Sequence, residues 1–350
     1  MLNLMTVCVY RQNTKGVFHK MSSRKKFIES CETVEHKTYM LGGYEQKVLV
    51  EGKKADNPLV IYLHGGPGNP IPFGEGCSGL FPELEEKCTM VYWDQLGCGI
   101  NDTELDDSIC IESYVTMSID LIKALHKDYP KNKICLFGVS WGSVLAARCA
   151  TEIPELLDKV MVYGQITKEL FFNDEVFAAL EKNASDMSKS ELEAYERVKK
   201  SKVPRTDSDI ADMGNLIKKC TDGYHNPNGG KTPVGKFVVG MLTSPDYHLK
   251  DFKAVFDNGT HRKPIIIRQL MDIDMRDTLA KIKLPYLIVQ GSSDLVTSTN
   301  TIRDYLSECP NENIRFKVIP NSGHMPSGEA MQYLMEEGMN FLSEKIAVRS

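Results

Sequence analysis

Gly138-Val139-Ser140-Trp141-Gly142 follows the apolar run Ile134-Cys135-Leu136-Phe137 and opens a helical segment from Ser143 to Cys149. A strand that becomes a helix across five residues must pass through a sharp, strained corner. Glycine at both ends removes the Cβ atoms that would clash there. Such a corner belongs at the top of a mostly parallel sheet covered by helices, and it pushes the Ser140 hydroxyl outward as a candidate nucleophile.

A serine hydroxyl is a poor nucleophile at neutral pH. It needs an adjacent general base, a third group that orients the base, and donors for the oxyanion that forms. Downstream, Pro285-Tyr286-Leu287-Ile288-Val289-Gln290-Gly291 reads as a buried strand with Asp294 in the loop just beyond it. Ile314 to Ile319 reads as another strand, followed by Pro320-Asn321-Ser322-Gly323-His324. Acid and base thus each fall at a strand's C-terminal end, the edge where open parallel sheets carry their sites. Upstream, Leu59 to Leu63 runs into His64-Gly65-Gly66-Pro67-Gly68, whose glycines can turn bare N–H groups toward a carbonyl oxygen. The oxyanion donors are assigned to the N–H groups of Gly66 and Trp141, with Gly65 as the near alternative to Gly66. His64, closing a strand into this turn, is read as orienting the loop. The chain order Ser, Asp, His is that of the α/β-hydrolase fold.

Three motifs carry a family resemblance. His64-Gly65-Gly66-Pro67-Gly68, then Tyr92-Trp93-Asp94-Gln95-Leu96-Gly97-Cys98-Gly99, then Gly138-Val139-Ser140-Trp141-Gly142-Ser143 make the chain similar to the proline iminopeptidase family of α/β-hydrolases over about residues 40 to 345. The resemblance implies a Ser140, Asp294, His324 triad with Gly66 and Trp141 as oxyanion donors. Gly65 and Trp141 are also the residues expected to touch substrate. Asp94 resembles a position that braces the active-site loops. Two departures stand out. Leu96 occupies a place where the family usually has arginine, and the helical motif carrying the glutamates that hold a substrate's free amino terminus is not found. Glu169, Asp174, Glu175 and Glu181 lie early in the middle region, where acidic residues on amphipathic helices usually form the solvated face.

The remainder of the chain fits one α/β domain with an insertion. Thr33 to Met40 and Lys47 to Glu51 read as a hairpin around Gly42-Gly43. Strands at Leu59–Leu63, Met90–Trp93, Ile134–Phe137 and Val160–Tyr163 alternate with helical segments, including one from about Ile111 to Tyr129. Val115, Ile119, Ile122 and Leu125 recur there at the spacing of one buried face. After Gly164 the pattern turns helix-rich and charged. The expected organisation is an appendage over 1–30, a first core part over 31–164, a helical cap over 165–276 and a second core part over 277–350. Phe171, Phe172, Phe177, Phe237, Val238, Val239, Met241 and Leu242 are assigned mostly to the cap's own core.

Composition excludes other classes. A net charge of −5 with no basic stripe argues against a nucleic-acid partner. Ten cysteines without C-x-x-C spacing suit reduced, packed thiols, and no apolar run approaches the roughly 20 residues of a membrane span. Met1 to Tyr10 lacks the basic start and cleavage pattern of a secretory leader, so a cytoplasmic protein is expected. Gly230-Lys231-Thr232 has His225 where a phosphate loop needs its first glycine, and the eight histidines fall in no ligand spacing. No metal and no cofactor are expected. The functional expectation is acyl transfer to water, by an aminopeptidase on short peptides or by a carboxylesterase or amidase on small apolar acyl groups. A non-catalytic hydrolase fold used as a binding module is the third class.

Overall fold

The computed structural model describes residues 27–70, 84, 86–168, 170–226, 246–257 and 265–344. Among these, eight strands form one sheet: β1 Thr33–Leu41, β2 Tyr44–Gly52, β3 Leu59–Leu63, β4 Thr89–Tyr92, β5 Ile134–Val139, β6 Lys159–Tyr163, β7 Tyr286–Gly291 and β8 Ile314–Ile319. Their order is β1-β2-β4-β3-β5-β6-β7-β8. The first three in this order pair antiparallel and the rest parallel, so the protein has the α/β-hydrolase fold expected from its motifs. The hairpin turns on Gly42 and Gly43, at φ 57° and 87°, and Leu41 pairs directly with Tyr44. Positive φ at both central residues matches the right-handed twist of the flanking strands.

Both faces of the parallel strands are covered, which is why they read as continuous apolar runs. Leu59, Ile61, Leu63, Leu136, Val160, Val162, Tyr286 and Ile288 pack on one face against α1 (Ile111–Asp128) and α2 (Trp141–Glu152). Val60, Tyr62, Cys135, Phe137, Met161, Tyr163, Leu287 and Val289 pack on the other. The buried stripe of α1 is broader than expected: Tyr114, Met117 and Leu121 join Val115, Ile122 and Leu125, while Ile119 is half-buried.

Between β6 and β7 the described chain forms α3 (Asp174–Lys182), α4 (Lys189–Lys200), α5 (Asp207–Cys220), α6 (Leu249–Phe256), α7 (Ile265–Met271) and α8 (Arg276–Ala280). Ser188 and Thr206 cap α4 and α5 through reciprocal bonds with Glu191 and Asp209. Val176, Leu180, Tyr195, Val198, Met213, Leu216 and Ile217 are among the buried apolar residues of this region, whereas Phe171, Phe172 and Phe177 are half-buried. Phe237, Val238, Val239, Met241, Leu242, Gly230-Lys231-Thr232 and Glu169 lie outside the described residues. After β7 come α9 (Thr299–Glu308), β8 and α10 (Glu329–Ser343). No helix among the described residues is long and apolar enough to cross a membrane.

Lys159, buried at the start of β6, donates through Nζ to the carbonyls of Phe341 (2.8 Å), Leu342 (3.2 Å) and Glu344 (2.6 Å). These are carbonyls that the end of α10 leaves without helical partners, so one cation holds the last helix to the sheet. Replacing Lys159 with methionine keeps the apolar stem and removes the donors. The expected loss is about 3 kcal/mol of unfolding free energy, measured by guanidinium denaturation.

Candidate active site

Ser140 stands between β5 and α2 with φ 51° and ψ −114°. Its N–H donates to the Tyr163 carbonyl at 2.8 Å and its carbonyl accepts from Ser143 N–H at 2.8 Å. The flanking glycines are required by contact. A Cβ on Gly138 would lie 2.6 Å from the Gly142 oxygen, and one on Gly142 would lie 1.9 Å from the Leu63 oxygen. The first turn of α2 is therefore pressed onto the end of β3.

Three loops bring the predicted partners together. His324 Nε2 is 2.9 Å from Ser140 Oγ, and His324 Nδ1 is 2.9 Å from Asp294 Oδ2. Asp294 Oδ1 accepts from the N–H groups of Val296 (2.8 Å) and Thr297 (3.0 Å), and Oδ2 also accepts from Thr297 Oγ1 at 2.9 Å. A carboxylate surrounded by donors in this way cannot rotate away from the ring. With Nδ1–H directed to Asp294, Nε2 is left as the acceptor for the Ser140 hydroxyl. Gly164 floors the imidazole, since a Cβ there would lie 3.1 Å from His324 Cε1.

Buried amides that gave no signal in the sequence hold these loops. Gln290 Nε2 donates to Thr297 Oγ1 at 3.1 Å and its Oε1 accepts from Gln165 N–H at 3.0 Å, tying the Asp294 loop to β6. Tyr163 donates through its hydroxyl to the Gly323 carbonyl at 2.6 Å, which restrains the approach to His324. The spacing of Asp294 and Thr297 is the one hint available from sequence, because an aspartate commonly accepts from N–H groups two and three residues on.

The glycine loop after β3 lies beside the serine. A Cβ on Gly65 would sit 3.2 Å from the Val139 oxygen and 3.5 Å from Ser140 Cβ. His64 is buried within a fixed pattern: Nε2 accepts from Gln95 N–H at 3.0 Å, and Nδ1–H donates to the Gly65 carbonyl at 2.9 Å. Asn69 N–H donates to the same carbonyl at 3.2 Å. Because N–H and C=O oppose one another across a trans peptide, the N–H of Gly66 faces away from these bonds. Gln95 also donates to the His64 carbonyl at 3.3 Å and accepts from the Trp141 indole N–H at 2.7 Å. The Trp141 ring is fully buried against Tyr114.

The remaining positions singled out in the sequence have other partners. Asp94 accepts from Ile100 N–H at 2.9 Å and from the Tyr247 hydroxyl, and burial pushes its carboxyl up to about 7. Leu96 is packed in the core, where its carbonyl accepts from Tyr114, and Cys98 is buried beside His64 with its thiol raised by desolvation. Glu175 accepts from Ser298 Oγ (2.5 Å) and Asn300 Nδ2 (2.6 Å); Glu181 pairs with Lys199; Asp174 is exposed in the first turn of α3. No cluster that could hold a metal ion occurs among the described residues.

Comparison with known proteins agrees with this architecture. Residues 58–330 match the family described as alpha/beta hydrolase fold. The probable aminopeptidase YbaC of Bacillus subtilis is 24% identical over 299 residues, covering 83% of this chain and 90% of its own. A proline iminopeptidase of Lactiplantibacillus plantarum is 34% identical over 301 residues, covering 81% and 91% respectively. The crystal structure of a Mycobacterium smegmatis proline iminopeptidase shares the fold with a TM-score of 0.59 at 19% identity, over 88% of this chain and 97% of that one.

The environment of His64 makes stability depend on pH. Burial lowers its proton affinity from 6.5 to about 4, so on acidification the unfolded chain takes up this proton first. Its contribution is complete above pH 6.5 and is lost as pH falls toward 4, on the order of 3 kcal/mol in total. Asp94 opposes this slope: its raised carboxyl contributes stability at low pH that is lost as pH rises through about 7. Asp94 is common to both proteins when wild type is compared with His64→Gln. Denaturation midpoints between pH 7 and pH 4.5 should fall more steeply for wild type, and parallel slopes would contradict the neutral assignment.

Proposed function

The chain belongs to the α/β-hydrolase fold family, in its proline iminopeptidase-like group, and on that premise we propose that this hydrolase works through a serine acyl-enzyme and releases N-terminal residues, proline by preference, from short peptides. The observation that carries the reading is the continuous path of two 2.9 Å hydrogen bonds from Asp294 through His324 to Ser140. In this mechanism Ser140 Oγ attacks the scissile carbonyl while His324 Nε2 takes the hydroxyl proton. The tetrahedral oxyanion is received by the N–H groups of Gly66 and Trp141. Collapse of the intermediate expels the amine, which leaves with the proton from His324. Water, taking the place of the amine, then attacks the ester carbonyl while His324 takes its proton. Collapse breaks the ester bond, Ser140 Oγ leaves with that proton and the acid is released, with Asp294 stabilising the imidazolium in both halves. The opposed orientation of the Gly65 carbonyl favours Gly66 over Gly65 as donor. The helices between β6 and β7 serve as a cap over this site, and the bound species is a small molecule or short peptide.

A second reading, an esterase or amidase for small apolar acyl groups, is favoured by one observation. Glu175 and Glu181, the described glutamates early in the insertion, are engaged by Ser298, Asn300 and Lys199.

Ser140→Ala should lower turnover by about 10⁴-fold or more and abolish labelling by a fluorophosphonate. Full activity in that variant would remove the serine mechanism. The two substrate readings separate on prolyl arylamide, its N-acetylated form and a p-nitrophenyl ester. A tenfold or greater advantage in kcat/KM for the free amine supports the peptidase, and no advantage, with the ester fastest, supports the esterase.

A further inference from the structure

The main-chain restraints on the loop carrying His324 divide between the sheet and the insertion. Ser322 and Gly323 are held by the core, through Ser293 N–H to the Ser322 carbonyl at 2.9 Å and Tyr163 to the Gly323 carbonyl at 2.6 Å. The next two residues are held by the segment that follows α5. His324 N–H donates to the Gly223 carbonyl at 3.0 Å, and Met325 N–H donates to the Tyr224 carbonyl at 2.9 Å. The same Gly223 carbonyl accepts from Leu295 N–H at 3.3 Å, on the loop that carries Asp294. Ser293 Oγ adds a donation to the Asp222 carbonyl at 3.1 Å. One stretch of the insertion thus bridges the acid loop and the base loop.

The fit is close. A Cβ on Gly223 would lie 2.5 Å from Leu295 Cβ, and one on Gly323 would lie 2.8 Å from the Asp222 oxygen. The Tyr224 ring is inclined at 40° to the His324 ring with centroids 5.9 Å apart. At a second point, Glu175 of α3 accepts from Ser298 and Asn300 at the start of α9, directly after Thr297, the residue that donates to Asp294.

We propose that Gly223 and Tyr224 are positioning residues for the acid–base pair: docking of Asp222–Tyr224 on the two loops sets the place of His324, so the insertion governs the chemical step itself as well as access to it. The proposal rests on the reading of Ser140, His324 and Asp294 given above. A loop freed at His324 N–H would let the imidazole drift from Ser140 Oγ, and a misplacement of about 1 Å can cost on the order of 10²-fold in rate. The effect extends to substrates too small to touch the insertion.

The test uses p-nitrophenyl acetate, whose acyl group has two carbons, with the full chain carrying Gly223→Ala, Tyr224→Ala or Tyr224→Phe. Gly223→Ala and Tyr224→Ala should lower kcat at least tenfold with KM within twofold of wild type, and Tyr224→Phe, which keeps the ring, should retain activity within twofold. Hydrogen exchange at the His324 amide should quicken in Gly223→Ala. Wild-type kcat in both alanine variants, a loss confined to KM, or a Tyr224→Phe defect as large as that of Tyr224→Ala would overturn the proposal. If Gly223→Ala fails to fold, as judged by its thermal melt, the Tyr224 pair carries the test, because its half-buried ring can be truncated without a collision. Ser140→Ala run in parallel separates the two readings. An active Ser140→Ala sinks the serine mechanism while amide exchange still reports on the bridge; an inactive one beside fully active Gly223 and Tyr224 variants sinks the bridge alone.

Discussion

The contact between Gly142 and the end of β3 fixes most of what surrounds it. Ser140 occupies a backbone conformation that costs about 1–3 kcal/mol for a residue with a side chain. The cost is borne because the corner is held on both sides, by the Tyr163 carbonyl on β6 and by the first turn of α2. With no side chain at 142, α2 begins against the carbonyl of Leu63. That residue is also where β3 gives way to the His64–Gly68 loop, so one close approach sets the serine, the start of the helix and the glycine loop together. The strand order makes this possible: β3 lies beside β5, and the chain has crossed from β4 on one side of β3 to β5 on the other.

Buried amides extend this geometry outward. Gln95, Gln165 and Gln290 are each almost wholly inaccessible, and each joins groups from different elements. Gln95 connects His64 to Trp141; Gln165 accepts from Tyr286 at 2.7 Å and is tied through its N–H to Gln290; Gln290 reaches Thr297. Apolar side chains in these places would fill the same volume but could not specify where a loop's N–H and C=O groups point. A polar network of this kind is favourable only when its members are satisfied together, which makes it rigid.

The elements legible from sequence were those with a period or a fixed local geometry. The Gly42-Gly43 hairpin, strand β8 over Ile314–Ile319 and the convergence of Ser140, Asp294 and His324 all follow from residues adjacent in sequence or from strands whose ends share one edge. The expected strand at Met90–Trp93 runs instead from Thr89 to Tyr92, because Tyr92 is the last residue paired with β2 and Trp93 turns its indole to Gln46. Gln95 and Gln290 could not be found this way, since a glutamine in a loop or strand has the same local signature whether it is solvated or buried. The bond from His324 N–H to Gly223 joins positions about a hundred residues apart through main-chain atoms, and no residue type announces it. Leu96, a departure from the family pattern, is buried in the core with its carbonyl accepting from the Tyr114 hydroxyl.

His64 and His324 show how position rather than residue type decides what a buried histidine is bonded to. Both are buried, both follow a strand end and both stand next to the serine loop. His64 has each ring nitrogen committed to the main chain, Nε2 to Gln95 N–H and Nδ1–H to the Gly65 carbonyl, so taking up a proton would break an existing bond. Desolvation then holds it neutral. His324 instead has Nδ1 bonded to the Asp294 carboxylate and Nε2 to the Ser140 hydroxyl, so both of its ring partners are side chains. The first arrangement ties the ring to main-chain groups and resists protonation; the second ties the ring by side chains to the loops of Asp294 and Ser140. Two buried imidazoles of one site are thus set apart by what their ring nitrogens bond, main-chain groups for His64 and a carboxylate and a hydroxyl for His324.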